Sequence, residues 1–173
     1  MRRLAAAVLA CGLAAASASA GDLVLRNCSL IDGTGAPPVT GAVVVIRDGR
    51  ILDAGSASRV RVPAGAEIID LGGATALPGI INAHVHEAFD EERLRSWAAA
   101  GVTSVRDMAS CGETIEEGME GRAESRRRPE LARLFAAGPM IAPPKGYGSL
   151  FVESPDDARA KVAALAAAGV DAV

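Results

Sequence analysis

The sequence predicts an α/β protein in which a β-rich segment precedes alternating strands and helices. Short apolar and β-branched runs separated by turn residues fill residues 21–75. From Ala76 onward, apolar runs alternate with helix-forming stretches, which is the pattern of βα units around a parallel sheet. One of these runs ends in His84 and His86, the only histidines of the 173 residues. We therefore expect parallel strands with functional side chains at the end of the first strand.

The β-rich segment divides into strands at its turn signals. Residues 40–46 are β-branched and apolar, and Asp48-Gly49 is a signal for a two-residue hairpin from which residues 50–55 return. Residues 67–71 give a further strand before two glycines. Several short strands with turns between them predict a small β-sandwich over residues 21–75.

Cap residues indicate where the expected helices of residues 76–173 begin and end. Gly101 stands where a C′ glycine belongs, and Ser154 is an N-cap serine followed by proline and two acids. Ala158, Val162 and Leu165 give the last helix one apolar face. After the histidine strand we expect a helix at 90–100, a strand at 102–108, a helix at 113–128, a strand at 132–138 and a helix from Ser154 to Gly169.

The two histidines are the strongest functional signal. In a strand, side chains at i and i+2 point to the same side, and neutral imidazole is the commonest protein metal ligand. A histidine pair on a surface strand, or one satisfied by hydrogen bonds in a core, is the plainer alternative. The apolar Ile80-Ile81 directly before the pair favours a buried strand that delivers two metal ligands at its end.

Four segments of the chain carry recognisable motifs: LVLRNCSLIDGTG at 23–35, VVVIRDGRI at 43–51, LPGIINAHVH at 77–86 and GVTSVRD at 101–107. Together they resemble the metal-dependent amidohydrolase superfamily, including its imidazolonepropionase-like and Xaa-Pro dipeptidase-like branch. They occur in the family's order, and the resemblance spans the chain from about Leu23 to its end.

This resemblance implies a (β/α)8 TIM-type barrel of which residues 76–173 form about the first three βα units, preceded by part of a composite β-sandwich at 21–75. It implies that His84 and His86 bind a divalent metal, zinc by default, with one or two ions in the full-length protein. The family's other ligands and its catalytic aspartate come from later strands, so we expect no catalytic residue within this chain. A complete barrel takes about 250 residues, so we expect an N-terminal fragment.

The glycine-rich loop PPKGYG at 143–148 is similar to a loop that lines the substrate pocket in that branch. Lys145, Gly146 and Tyr147 are therefore the candidate substrate-binding residues. Lys145 as a bridging metal ligand is the less favoured alternative, because it lies on a loop. Lys161, in the middle of the last helix, is expected to be a surface residue.

Three charged residues lie near the histidines in the sequence. Glu87 is expected either to hydrogen-bond to a metal ligand or to be a solvated loop acid. Arg106 and Asp107 close the second strand, and we expect them to form a structural ion pair, with substrate contact as the alternative.

The N-terminus predicts export. Residues 1–20 combine a basic start, an apolar stretch and a small-residue cleavage site, which is typical of a secretory signal peptide. Lipidation at Cys11 and a stable membrane anchor are less favoured, so we expect a periplasmic or secreted protein. Cleavage would leave Cys28 and Cys111, for which free or buried thiols are favoured over a disulfide.

Two functions fit these observations. The net charge changes from −3 to −5 when Arg2 and Arg3 are removed, which argues against nucleic acid or anionic membrane as a partner. The first hypothesis is a hydrolase that cleaves carbon–nitrogen bonds of a small amide or peptide with metal-activated water, the chain alone being inactive. The alternative is a non-catalytic extracytoplasmic binding module.

Overall fold

The computed structural model describes residues 21–108 and 114–173, and the chain divides into two compact units after Pro78. The predicted signal peptide at 1–20 and Cys111 lie outside the described residues. No helix of the described ranges combines the length and apolarity that crossing a bilayer requires.

The first unit contains one mixed sheet of five strands, in the order β3-β2-β1-β4 with β5 also paired to β1. The strands are β1 Leu23–Leu30, β2 Val39–Arg47, β3 Arg50–Ser56, β4 Glu67–Asp70 and β5 Thr75–Ala76. β1 is antiparallel to β2 but parallel to β4 and β5. The described residues of this unit form a single sheet, so the β-sandwich stays a prediction.

The β2–β3 hairpin turns at the predicted Asp48-Gly49, where both residues have positive φ, 50° and 70°. Positive φ at both central residues belongs to the tight turn whose twist matches antiparallel strands. Val24, Val43, Val45 and Val60 form the core of this unit. Cys28 is a free, buried thiol, as expected.

The second unit contains the predicted alternation of strands and helices, together with two short strands that were not predicted. Its elements are β6 Ile80–Val85, α1 Glu91–Ala99, β7 Val102–Asp107, α2 Ile115–Arg127, β8 Arg133–Ala136, β9 Ile141–Ala142, β10 Leu150–Phe151 and α3 Pro155–Ala168. β6, β7 and β8 form a parallel sheet in that order, and β9 pairs with β10. The isolated parallel bridge between Ala137 and Ala172 continues the parallel pattern. Closure into a (β/α)8 barrel stays a prediction.

The predicted caps at Gly101 and Ser154 form, and Asp90 and Thr114 cap the other two helices. Asp90 caps α1 by accepting a hydrogen bond from Arg93 N, and Gly101 after that helix has a φ of 82°. Thr114 forms a capping box with Glu117 at the start of α2, and Ser154 caps α3. These local hydrogen bonds satisfy backbone donors that have no partner inside the helix.

Two packing predictions for this unit are wrong in part. On α3, Leu165 is buried against Gly138, whereas Val162 is 40% exposed, so the predicted apolar face is only partly covered. Ile80 and Ile81 were expected in a buried strand, yet they are 55% and 68% exposed. The reason is that β6 lies at the edge of the described sheet, with β7 on one side only.

The core of the second unit lies between its sheet and its helices. The fully buried Leu94 of α1 meets Val105 of β7 and Leu134 of β8 there, together with Val85 of β6. Val85 is buried in this core, whereas His84 and His86 on either side of it are exposed. That alternation positions the histidines.

Candidate metal centre

His84 lies within β6, and His86 directly follows its last residue, Val85. The Nε2 atoms of the two histidines are 3.3 Å apart, and their ring centroids lie 5.2 Å apart at an interplanar angle of 69°. Both imidazoles therefore converge on one point at the carboxyl end of the strand, as the i, i+2 spacing predicts.

The separation of the two nitrogens fits a shared metal ion. Zinc binds histidine nitrogen at about 2.0–2.1 Å with tetrahedral angles, which places two nitrogen ligands about 3.3–3.4 Å apart. His84 and His86 meet that requirement with the rings as they stand. Within residues 21–108 and 114–173, no group of three or more His, Cys, Asp or Glu could hold a metal, so no third side chain of these types joins the two histidines there.

β6 has a bulge between Asn82 and Val85, the stretch that includes His84. Asn82 pairs with Val105 and Val85 pairs with Asp107, so three steps along β6 match two steps along β7. An extra residue of this kind bends a strand and re-aims its side chains. The side chain of Asn82 accepts a hydrogen bond of 3.2 Å from the backbone N–H of His84 and closes the bulge locally.

Arg106 and Asp107 do not form the predicted ion pair. They are neighbours in β7 and so point to opposite faces of the sheet, Arg106 exposed and Asp107 only 1% exposed. Arg106 Nε donates to the carbonyl oxygen of Ala83 at 2.9 Å, and Asp107 Oδ2 accepts from the backbone N–H of Ala88 at 2.7 Å. Both contacts therefore reach the backbone that carries the histidines.

Glu87 follows the histidine pair on an exposed turn. Its φ of 54° is unusual for a residue other than glycine, and its carboxylate pairs with Arg93 at 2.9 Å. The hydrogen bond from Arg93 raises the pKa of that guanidinium further above its ordinary value. Glu87 thus connects the segment after β6 to helix α1.

The candidate substrate loop lies between β9 and β10. Gly146 N donates to Pro143 O at 2.8 Å, which closes a turn, and Lys145 has a φ of 67° within it. Lys145 is exposed and Tyr147 is 91% exposed. No hydrogen bond, ion pair or ring contact joins these loop side chains to the histidines among the described residues, whereas the histidines contact each other.

Lys161 lies at the surface, as expected, and its amino group makes contacts that were not predicted. Its amino group is paired with Asp157 at 2.8 Å and donates to the carbonyl oxygen of Phe151, and its side chain is 32% exposed. Lys161 therefore ties α3 to β10. The i, i+4 spacing from Asp157 was the sequence signal that could have shown this pairing.

Two curated proteins are similar in sequence to part of this chain. The chain is 32% identical over 117 residues to an imidazolonepropionase of Deinococcus deserti, which covers 62% of this chain and 29% of the relative. It is 36% identical over 81 residues to a 5-methylthioadenosine/S-adenosylhomocysteine deaminase of Moorella thermoacetica, covering 45% of this chain and 18% of the relative. No protein-family model matches the sequence.

A solved structure matches a larger part of the chain. A Bifidobacterium longum protein assigned as a prolidase superposes with a TM-score of 0.67 at 26% identity, covering 88% of this chain and 40% of that protein. The chain thus spans less than a third of the length of the two curated relatives and less than half of this structural neighbour. The relatives and structural neighbours confirm the resemblance to the amidohydrolase superfamily.

Proposed function

We propose that this chain is the metal-binding N-terminal part of an amidohydrolase-superfamily enzyme that hydrolyses carbon–nitrogen bonds in a small amide, peptide or cyclic amide. The observation that carries the proposal is the convergence of His84 and His86 at the end of a strand in a parallel sheet. The similarity to an imidazolonepropionase, a deaminase and a protein assigned as a prolidase supports the same reaction class.

The Nε2 atoms of His84 and His86 would hold a divalent ion, with zinc the default, in a site of one or two ions in the full-length protein. When bound there, zinc would supply a water whose pKa is lowered to about 7 and a Lewis acid for a substrate carbonyl. The role of the two histidines is to supply uncharged nitrogen ligands from a strand end. A catalytic zinc usually has three protein ligands, so we expect the 173-residue chain to bind metal without turnover.

The remaining parts of the proposal concern the substrate loop, the N-terminus and the fold around the histidines. We assign Lys145, Gly146 and Tyr147 to substrate binding, because the loop presents a cationic and an aromatic side chain to solvent on a tight turn. We assign residues 1–20 to a signal peptide and the protein to the periplasm or the secreted fraction. Residues 21–75 would form the N-terminal part of a composite β-sandwich, and residues 76–173 would form the first part of a (β/α)8 barrel.

Metal analysis tests the proposal. The purified chain is titrated with Zn²⁺, and Co²⁺ absorption reports the ligand field, for wild type and for His84→Ala, His86→Ala and Lys145→Ala. We expect each histidine variant to lose metal at concentrations that saturate the wild type. Lys145→Ala, the control, should keep its metal because that residue is assigned to the substrate loop.

Two outcomes would contradict this. Metal binding that survives replacement of both histidines would refute the metal site, and loss of metal in Lys145→Ala would show that the loop contributes a ligand.

An assay against dipeptides and cyclic amides tests the expected inactivity of the chain. Turnover that disappears in His84→Ala would show that the chain is self-sufficient.

A further inference from the structure

The segment that carries the histidines is held at both ends by β7. Arg106 Nε bonds to Ala83 O, directly before His84, and Asp107 Oδ2 bonds to Ala88 N, two residues after His86. Because consecutive strand residues face opposite sides, one contact lies on each face of the sheet. The six residues 83–88 therefore lie between two fixed points.

These contacts are strong ones. Each joins a charged side chain to a backbone group, and such charge-assisted bonds are about twice as strong as neutral ones. Asp107 and Ala88 are both 1% exposed, so water does not compete for their bond. A buried carboxylate at this position is costly unless it is bonded, which makes its orientation toward Ala88 well defined.

The backbone between the two contacts is itself strained. Glu87 lies between His86 and Ala88 with a φ of 54°, a conformation that persists in a residue other than glycine only when its surroundings enforce it. The bulge at Ala83 and His84 likewise departs from the regular ladder. A segment with both features needs anchors outside itself to keep two imidazole nitrogens 3.3 Å apart.

We propose that Arg106 and Asp107 are positioning residues that brace residues 83–88 from opposite faces and so preorganise His84 and His86 for metal. The proposal rests on the proposed function, because it assumes that the histidines bind a metal ion. Binding then does not have to order the segment, and metal affinity rises. The brace itself exists in the metal-free chain and is tested there first.

Amide hydrogen exchange of the metal-free chain tests the brace without any metal. Asp107→Ala should accelerate exchange of the Ala88 amide by roughly tenfold or more, because its acceptor is lost. Asp107→Asn keeps an acceptor and should restore most of the protection. Arg106→Ala, at an exposed position, should accelerate exchange within 83–88, whereas Arg133→Ala on the neighbouring strand β8 should not.

Unchanged exchange within 83–88 in both Arg106→Ala and Asp107→Ala would overturn the brace, whatever the metal does. If Asp107→Ala does not fold, Arg106→Ala and Asp107→Asn decide alone. The brace would then be rejected if amide exchange within 83–88 in Arg106→Ala were as slow as in wild type. It would also be rejected if the Ala88 amide of Asp107→Asn exchanged as fast as in a free peptide.

Zinc titration tests whether the brace raises the affinity of the chain for metal. Arg106→Ala and Asp107→Ala should weaken Zn²⁺ binding by about tenfold or more, and Arg133→Ala should leave it unchanged. In a background with both histidines replaced by alanine, the brace variants should have no further effect on zinc while their effect on exchange persists.

The two proposals fail in different ways. A wild-type chain without histidine-dependent zinc binding refutes the proposed function, and hydrogen exchange still decides whether the brace exists. Faster exchange with zinc affinity within twofold of wild type would show that the brace does not serve metal binding. The brace would likewise not serve metal binding at the histidines if its variants still changed zinc affinity after both histidines were replaced by alanine.

Discussion

Replacing Gly79 with alanine should destabilise the second unit, because Thr103 occupies the space of the added methyl group. A Cβ at Gly79 would lie 2.1 Å from Thr103 Cγ2, 2.2 Å from Oγ1 and 2.7 Å from Cβ, where ordinary contact begins at 3.4 Å. The atoms must separate by more than an ångström. A rotamer change of Thr103 cannot achieve this, since its own Cβ is among the close atoms and β-branched side chains are stiff.

The loss in the free energy of unfolding arises because the backbone must shift to relieve this clash. Overpacking of this kind costs about 1–3 kcal/mol. The shift also strains the hydrogen bond of 3.0 Å from Ile80 N to Gly101 O at the start of β6, which is worth about 1 kcal/mol. We therefore expect Gly79→Ala to lower the free energy of unfolding by about 2–4 kcal/mol.

Urea unfolding followed by circular dichroism measures this change. Gly21→Ala is the control, because a Cβ there meets nothing within 4 Å, and it should change the free energy of unfolding by less than about 0.5 kcal/mol. Adding Thr103→Ala to Gly79→Ala removes two of the three close atoms. The double variant should be more stable than the sum of the single changes by about 1 kcal/mol.

Two results would refute the reasoning. Gly79→Ala could prove as stable as Gly21→Ala, which would mean that the sheet absorbs the methyl group without strain. Alternatively, the double-mutant cycle could show no coupling between positions 79 and 103, and the destabilisation would then have another origin.

Two further changes test the packing and the electrostatics of the same unit. Leu134→Ala, at a fully buried core position, should lower the free energy of unfolding by about 2–5 kcal/mol in the same urea experiment, and a loss below about 1 kcal/mol would contradict the assigned core. The hydrogen bonds that Arg128 and Arg95 donate to Glu91 lower the pKa of its carboxyl from 4.5 to about 2, so its stabilising effect is complete above pH 4.5 and is lost as the pH falls toward about 2. The difference in Tm between wild type and Glu91→Gln should therefore shrink over that interval, and a constant difference would argue against the ion pairs.

Much of the local structure could be predicted because its signals are local. Asp48-Gly49 permits positive φ at two successive residues, which almost dictates a tight hairpin. Ser154 before a proline and two acids satisfies the first turn of a helix without help from elsewhere. Apart from the two-residue strands β9 and β10, the order of strands and helices in residues 80–168 follows from such signals together with hydrophobic periodicity.

The candidate site was predictable only in part. The i, i+2 spacing already places His84 and His86 on one side of a strand. The segment in which they lie 3.3 Å apart includes a bulge that is defined by its register with β7, more than twenty residues further along the chain. The spacing of two residues contains no information about that register.

What the sequence by itself determined is thus the three helices, the longer strands and the identity of the two histidine ligands proposed here. Tertiary structure alone decided the partners of residues with several options. The sequence places Arg106 and Asp107 side by side, which suggests an ion pair, but the pleat turns them to opposite faces where each meets the backbone of β6 or its following turn. The physical reason is that a charged side chain bonds to whatever polar group lies within reach, and only the pairing of β6 with β7 brings Ala83 and Ala88 there.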